Sequence, residues 1–109
     1  MLRASDTGAI VPMHWPLEVL NGLAMAERRG RIDSTRRRGL IEFLRDLPIT
    51  IDPETVNQVW TGTSQLAEQH RLTLYDAAYL ELTLRLGLPL ATLDRDLRSA
   101  GDAVGVTLL

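Results

Sequence analysis

The 109-residue sequence contains no cysteine and no lysine. Without cysteine the chain has no disulfides, thiolate nucleophiles or sulfur-built zinc sites, so any bound metal must be held by oxygen or imidazole ligands. No apolar run approaches the roughly 20 residues that a membrane-spanning helix needs, and the first residues lack the basic and then apolar order of a secretion signal. We therefore expect a cytoplasmic protein with no membrane partner.

The size and composition predict one ordered domain over residues 1–109. Hydrophobic residues make up 45% of the sequence and charged residues 24%, a balance typical of a globular domain. The formal net charge of -2 argues against a protein that coats nucleic acid non-specifically.

Arginine is concentrated in one stretch, RRGRIDSTRRR. It holds six of the twelve arginines: Arg28, Arg29, Arg31, Arg36, Arg37 and Arg38. Because the guanidinium fork pairs well with phosphate oxygens, phosphate is one expected partner. A solvated tip between two helices is the other explanation of such a charge run.

Short apolar segments alternate with helical patterns along the chain. The segments AIVPM, PITID, PLATL and VTLL have the length and apolar or β-branched content of strands. Caps, prolines and glycine stops predict helices over 16–30, 34–47 with Ser34 as N-cap, 53–69, 73–86 with Thr73 as N-cap and Gly87 as stop, and 94–104. This alternation predicts a layered α/β domain whose parallel strands are joined by right-handed crossovers.

Three acidic residues, Glu18, Asp76 and Asp94, lie near the starts of three of these helices. Asp76 is about 180° around its helix from Arg85, which is expected to share a water-facing side with Glu81. Asp94 directly follows a predicted strand, at the end where open parallel sheets form ligand crevices. Taken singly, each acid is equally explained as a cap or first-turn residue of its helix.

Taken together, the three acids indicate a metal site. Helix starts that follow parallel strands meet at one edge of a sheet, and carboxylates gathered there repel one another unless a divalent cation neutralises them. Oxygen ligands without sulfur select magnesium or manganese.

Three segments of the chain resemble a known family. VPMHWPLEVLNGLAMAERRGRI, LTLYDAAYLELTLRLGLPLATLDRDL and GVTLL are similar to PIN-domain proteins, specifically the VapC-like toxin ribonucleases of toxin and antitoxin pairs. The resemblance implies a PIN-like three-layer α/β/α fold with a parallel sheet. It also implies RNA cleavage that depends on Mg²⁺ or Mn²⁺, and neutralisation by a cognate VapB-like antitoxin.

The resemblance assigns roles to individual residues. It implies that Glu18, Asp76 and Asp94 are catalytic, metal-binding acids and that Asp96 is an auxiliary metal ligand. With the arginine run, it places on the RNA substrate the residues Asn21, Arg28, Arg29, Arg31 and Thr92.

The first residues depart from the family pattern. Such toxins open with a hydrophobic strand that ends in an Asp and is followed by a helix, whereas MLRASDTG resembles the end of a later helix and its turn. Asp6 follows no predicted strand and is not expected to replace the acid. We therefore expect an N-terminally truncated fold, without the family's first strand, first helix and fourth acid, and Met1 as an internal or alternative start.

Two functions follow from this departure. The first is a metal-dependent endoribonuclease toxin, and the alternative is a catalytically inactive PIN remnant that binds an antitoxin or associates with itself.

Self-association is expected in either case. Because uncovered sheet edges favour pairing with another chain, we predict a homodimer or higher oligomer. Sedimentation that shows a folded monomer at every concentration would contradict this.

The two tryptophans and the two histidines are predicted to have structural or surface roles. Trp15 and Trp60 lie among apolar positions and are predicted to be core anchors, with hot spots for a partner as the alternative. His14 and His70 flank helix ends and are predicted to have cap or surface roles.

Overall fold

The computed structural model describes the backbone of residues 2–5 and the whole of residues 8–109. Asp6 lies outside the described residues. The chain divides into two compact units, one formed by Met1–Met13 with Ile49–Leu109 and the other by His14–Pro48. None of the described helices is long and apolar enough to cross a membrane.

The first unit contains the strands and most of the helices. Its elements are β1 (Leu2–Ser5), β2 (Gly8–Val11), β3 (Ile49–Ile51), α3 (Thr55–Gln58), α4 (Ser64–His70), α5 (Leu74–Leu86) and α6 (Arg95–Ala103). A π-helical turn, Val59–Thr63, joins α3 to α4. The second unit contains α1 (Trp15–Arg28) and α2 (Ser34–Arg45).

The sheet has the order β1-β2-β3. Strands β2 and β3 are parallel, with Val11 opposite Ile51, and this confirms the predicted α/β class with parallel pairing. Strand β1 runs antiparallel to β2. The expectation that MLRASDTG forms a helix end is therefore wrong for residues 2–5, because their backbone pairs along β2 instead.

Two predicted strands are much shorter than expected. PLATL and VTLL meet only in a parallel bridge between Leu90 and Leu108. The Leu90 N–H donates to the carbonyl oxygen of Thr107 at 2.8 Å, and the Leu109 N–H donates to that of Leu90 at 3.0 Å. The ladder does not extend toward the start of PLATL, because the next N–H that would face this partner, that of Leu88, donates to the Thr83 carbonyl oxygen at 3.1 Å instead.

Helix α5 forms the core of the first unit. Every residue from Ala77 to Thr83 is buried, as expected for a helix that is covered on all sides. Glu81 is among them at 7% exposure, so the expectation that it faces water is wrong; it is paired with Arg85. Thr73 caps α5 and Gly87 ends it in the left-handed conformation, which confirms both predictions.

The second unit is a helical hairpin. Neither α1 nor α2 contains a buried residue. The Arg37 Nε–H donates to Glu27 and links the two helices. Asp33 is the N-cap of α2, accepting a hydrogen bond from the Arg36 N–H at 2.7 Å. The prediction of Ser34 as cap was therefore one residue late, because the Asp carboxylate one position earlier serves that N–H.

The two tryptophans are not core anchors. Trp60 lies in the π-helical turn with 83% of its surface exposed, and Trp15 is half-buried at the start of α1. The expectation of a core role is wrong for Trp60, since the wider π-helical turn sits where a regular helix was assumed.

Candidate active site

Asp94 lies at the start of α6, after a short irregular segment that begins at Ala91. Its Oδ2 accepts a hydrogen bond from the Leu97 N–H at 2.8 Å, so it is the N-cap of the helix. Its own N–H donates to the Thr92 hydroxyl oxygen at 3.1 Å. The carboxylate is thus fixed at an exposed position, and Oδ1 accepts no hydrogen bond from the described residues.

Asp76 lies in the first turn of α5 and is half-buried. Its backbone N–H donates to the Thr73 Oγ1 at 3.1 Å, so Asp76 is the third residue of the helix that Thr73 caps. The positive end of the helix dipole stabilises an ionised carboxylate at this position. Asp76 and Asp94 therefore both lie at helix starts of the first unit, as predicted.

Glu18 belongs to the hairpin unit, in the first turn of α1. Its Oε1 lies 3.2 Å from the Nε2 of His14, at the N-cap position of the same helix. Asp96 is an exposed acid in the first turn of α6.

The residues predicted to contact RNA have different surroundings. Asn21 lies on α1, and Arg28, Arg29 and Arg31 follow at its end; all four are exposed. Thr92 is half-buried, and its hydroxyl oxygen accepts a hydrogen bond from the Asp94 N–H.

Asp52 and its partners form a buried charge network that sequence reasoning missed. Asp52 follows β3 directly and is only 2% exposed. Its Oδ2 lies 2.5 Å from Nη2 of Arg85. Arg85 also donates from Nε to Glu81 Oε2 at 2.8 Å. Two carboxylates from separate elements therefore share one guanidinium.

The guanidinium is held in its charged form. The hydrogen bond to Glu81 is the largest cause that raises the pKa of Arg85 above its ordinary value; burial opposes the rise and the hydrogen bond to Asp52 adds to it. The sequence showed the Glu81 and Arg85 pair through its i, i+4 spacing, but nothing local indicated Asp52, 33 residues from Arg85.

The donor chemistry of these acids suits a hard divalent cation. Within the described residues, no three Asp, Glu or His side chains lie together closely enough to hold a metal. Magnesium rarely needs such a cage, because it keeps several waters and is usually bound through one or two carboxylates and the phosphates of the substrate. Asp94, with Oδ2 engaged in capping and no partner for Oδ1 among the residues that the structure describes, has the features of such a ligand.

Comparison with known proteins gives the family. The model of the PIN domain matches residues 2–103. Ribonuclease VapC3 of Pyrobaculum aerophilum is 34% identical over 80 residues, which cover 73% of this chain and 61% of that protein. Ribonuclease VapC3 of Mycobacterium tuberculosis is 32% identical over 98 residues, which cover 90% of this chain and 69% of that protein. The chain thus spans less than two thirds of the length of the first relative and slightly more than two thirds of the length of the second.

The chain therefore belongs to the PIN-domain family, as a VapC-like member, and the resemblance seen in the sequence is confirmed.

Proposed function

We propose that this protein is a metal-dependent endoribonuclease of the VapC type, a toxin that a cognate VapB-like antitoxin neutralises. The observation that carries the proposal is the Asp94 carboxylate at a helix start, where Oδ2 accepts the cap hydrogen bond and Oδ1 accepts none from the described part of the chain. Its support is the PIN-domain match and the two relatives that are named as ribonucleases.

In this proposal, Asp76 and Asp94 are the carboxylates that bind Mg²⁺ or Mn²⁺. The roles of Glu18 and Asp96 as further metal-binding acids stay predictions. The bound cation supplies an activated water and stabilises charge on an RNA phosphodiester. The contribution of the protein itself is to hold the Asp76 and Asp94 carboxylates in position. The cap bonds of α5 and α6 fix the backbone at both acids, so that little ordering remains when the ligands bind.

Three of the exposed arginines of the hairpin, Arg28, Arg29 and Arg31, are proposed to contact the RNA backbone, together with Asn21 of α1. Arg37 is engaged with Glu27 and is less suited to this role. Each phosphate contact that is lost should lower the dependence of log Kd on log salt by about 0.7 for a single strand. Replacing the three arginines with alanine should therefore flatten that dependence, whereas Arg45→Ala, at the other end of α2, should not.

Metal binding tests the proposal. Calorimetry with Mn²⁺ should show a site-specific heat for the parent protein that Asp76→Asn abolishes and that the matched change Asp102→Asn, at an exposed acid near the end of α6, leaves intact. The same titration followed by RNA cleavage should show activity only with metal. Equal heats of Mn²⁺ binding for the parent and Asp76→Asn would contradict the assignment of Asp76 as a metal ligand.

The alternative is a catalytically inactive PIN module that binds an antitoxin or a second copy of itself. The hairpin favours it, because α1 and α2 bury no residue while Leu17 and Phe43 are 73% and 62% exposed. Apolar side chains left uncovered in this way are typical of interaction surfaces. In the titration above, such a module would give no heat that depends on Asp76. The expected homo-oligomer stays a prediction under both functions.

A further inference from the structure

The segment that carries Asp94 is held in place by a residue to which no role has been given. Residues 91–94 have no helical or strand backbone pairing of their own. Nη1 of Arg98 donates to the Thr92 carbonyl oxygen at 3.0 Å and to the Leu109 carbonyl oxygen at 2.9 Å. One nitrogen thus joins this segment to the chain end that runs beside it.

The contacts continue from Thr92 to the carboxylate. Thr92, whose carbonyl oxygen is bound by Arg98, also accepts a hydrogen bond from the Asp94 N–H at its hydroxyl oxygen. The Asp94 Oδ2 accepts a hydrogen bond from the Leu97 N–H. The Arg98 N–H also donates to the Asp94 carbonyl oxygen at 3.0 Å. Arg98 therefore contacts Asp94 through its backbone and holds Thr92 through its side chain.

We propose that Arg98 is a positioning residue that holds the Asp94 carboxylate in the orientation in which it binds the metal ion. This rests on the proposed function, in which Asp94 binds the cation. Partners outside the ligand shell orient metal ligands, and their loss typically weakens metal affinity 10- to 100-fold. Arg98 is suited to this because its half-buried guanidinium has two hydrogens on one nitrogen, one for each carbonyl oxygen.

A purely structural role is the competing explanation. The segment that ends in Leu109 is also anchored by two backbone bonds, from the Leu90 N–H to Thr107 and from the Leu109 N–H to Leu90, so Arg98 could simply add a further bond to this segment. In that case its removal would loosen α5, α6 and the bridge together. A positioning role instead predicts a change confined to the Thr92 to Leu97 stretch and a change in metal affinity.

The experiment compares Arg98→Ala and Arg98→Lys with Arg95→Ala, which removes the same charge from an exposed position at the start of the same helix. In the metal-free protein, the amides of Asp94 and Leu97 should exchange hydrogen about tenfold faster in Arg98→Ala and unchanged in Arg95→Ala. Mn²⁺ should bind about tenfold more weakly to Arg98→Ala, with Arg98→Lys in between. RNA cleavage should lose kcat and keep its KM.

Asp94→Asn separates this inference from the proposed function. If Asp94→Asn leaves Mn²⁺ affinity unchanged, the assignment of Asp94 as a ligand fails, and the proposal about Arg98 fails with it. If Asp94→Asn abolishes binding while Arg98→Ala matches Arg95→Ala in affinity, only the inference about Arg98 is overturned. Faster exchange throughout α5 and α6 would also overturn it, in favour of a structural role. Should Arg98→Ala not fold, Arg98→Lys carries the same comparison.

Discussion

Asp94→Asn should lower RNA cleavage by about 100- to 1,000-fold and leave the free energy of unfolding within about 0.5 kcal/mol of the parent. The two effects separate because Asn accepts the Leu97 N–H as an N-cap about as well as Asp does. What the substitution removes is the negative charge that a hard cation prefers. A metal-stabilised transition state is worth several kcal/mol, and each 1.4 kcal/mol corresponds to about a factor of ten in rate.

Two further variants make the result decisive. Asp94→Ala removes the cap as well, so it should lose activity to the same degree and also about 1 kcal/mol of stability, measured by urea unfolding. Asp102→Asn changes the same charge near the other end of α6 and should leave both quantities unchanged. If Asp94→Asn cleaves RNA like the parent while Asp94→Ala is destabilised, Asp94 is a cap and nothing more.

Local chemistry explains why so much of the first unit could be predicted. Thr73, Gly87 and Asp94 act through bonds to residues three or four positions away, and such bonds leave a direct trace in residue spacing. The parallel pairing of β2 with β3 followed from the alternation of strands and helices, since two strands joined through helices usually pair in parallel.

Features that depend on distant contacts were missed. Asp52 reads as an ordinary residue between a strand and Pro53, and only the folded chain brings it to Arg85. Trp60 was placed in the core on an assumed regular helix, which the π-helical turn replaces. PLATL resembles a full strand, but the Leu88 N–H is bonded to Thr83 and the Thr92 carbonyl oxygen to Arg98, so PLATL keeps one bridged residue.

The helix-start positions of the candidate acids could be predicted, whereas the contacts around Asp94 could not. Three acids at helix starts could be found because caps and first-turn positions are local. The bonds from Arg98 to Thr92 and Leu109 join residues 6 and 11 positions apart across an irregular segment, where no periodicity exists to predict them.

The second large effect is expected in stability. Arg85→Met should lower the free energy of unfolding by about 3 kcal/mol, because it leaves Asp52 and Glu81 buried without a cation. This lies at the low end for a broken buried ion pair, since the Arg85 side chain is 22% exposed and water can reach part of the site. For a domain of this size the melting temperature should fall by about 10 to 20 °C. Arg45→Met, on the exposed last turn of α2, should change stability by less than about 0.5 kcal/mol.

A combined variant identifies the origin of the loss. If the cost comes from the two unpaired carboxylates, adding Asp52→Asn and Glu81→Gln to Arg85→Met should restore most of the stability, because neutral amides replace buried charges of similar shape. Asp52→Asn alone should cost less than Arg85→Met, since Arg85 keeps its two bonds to Glu81. If the triple variant is no more stable than Arg85→Met, Arg85 stabilises the fold through packing of its side-chain stem rather than through charge.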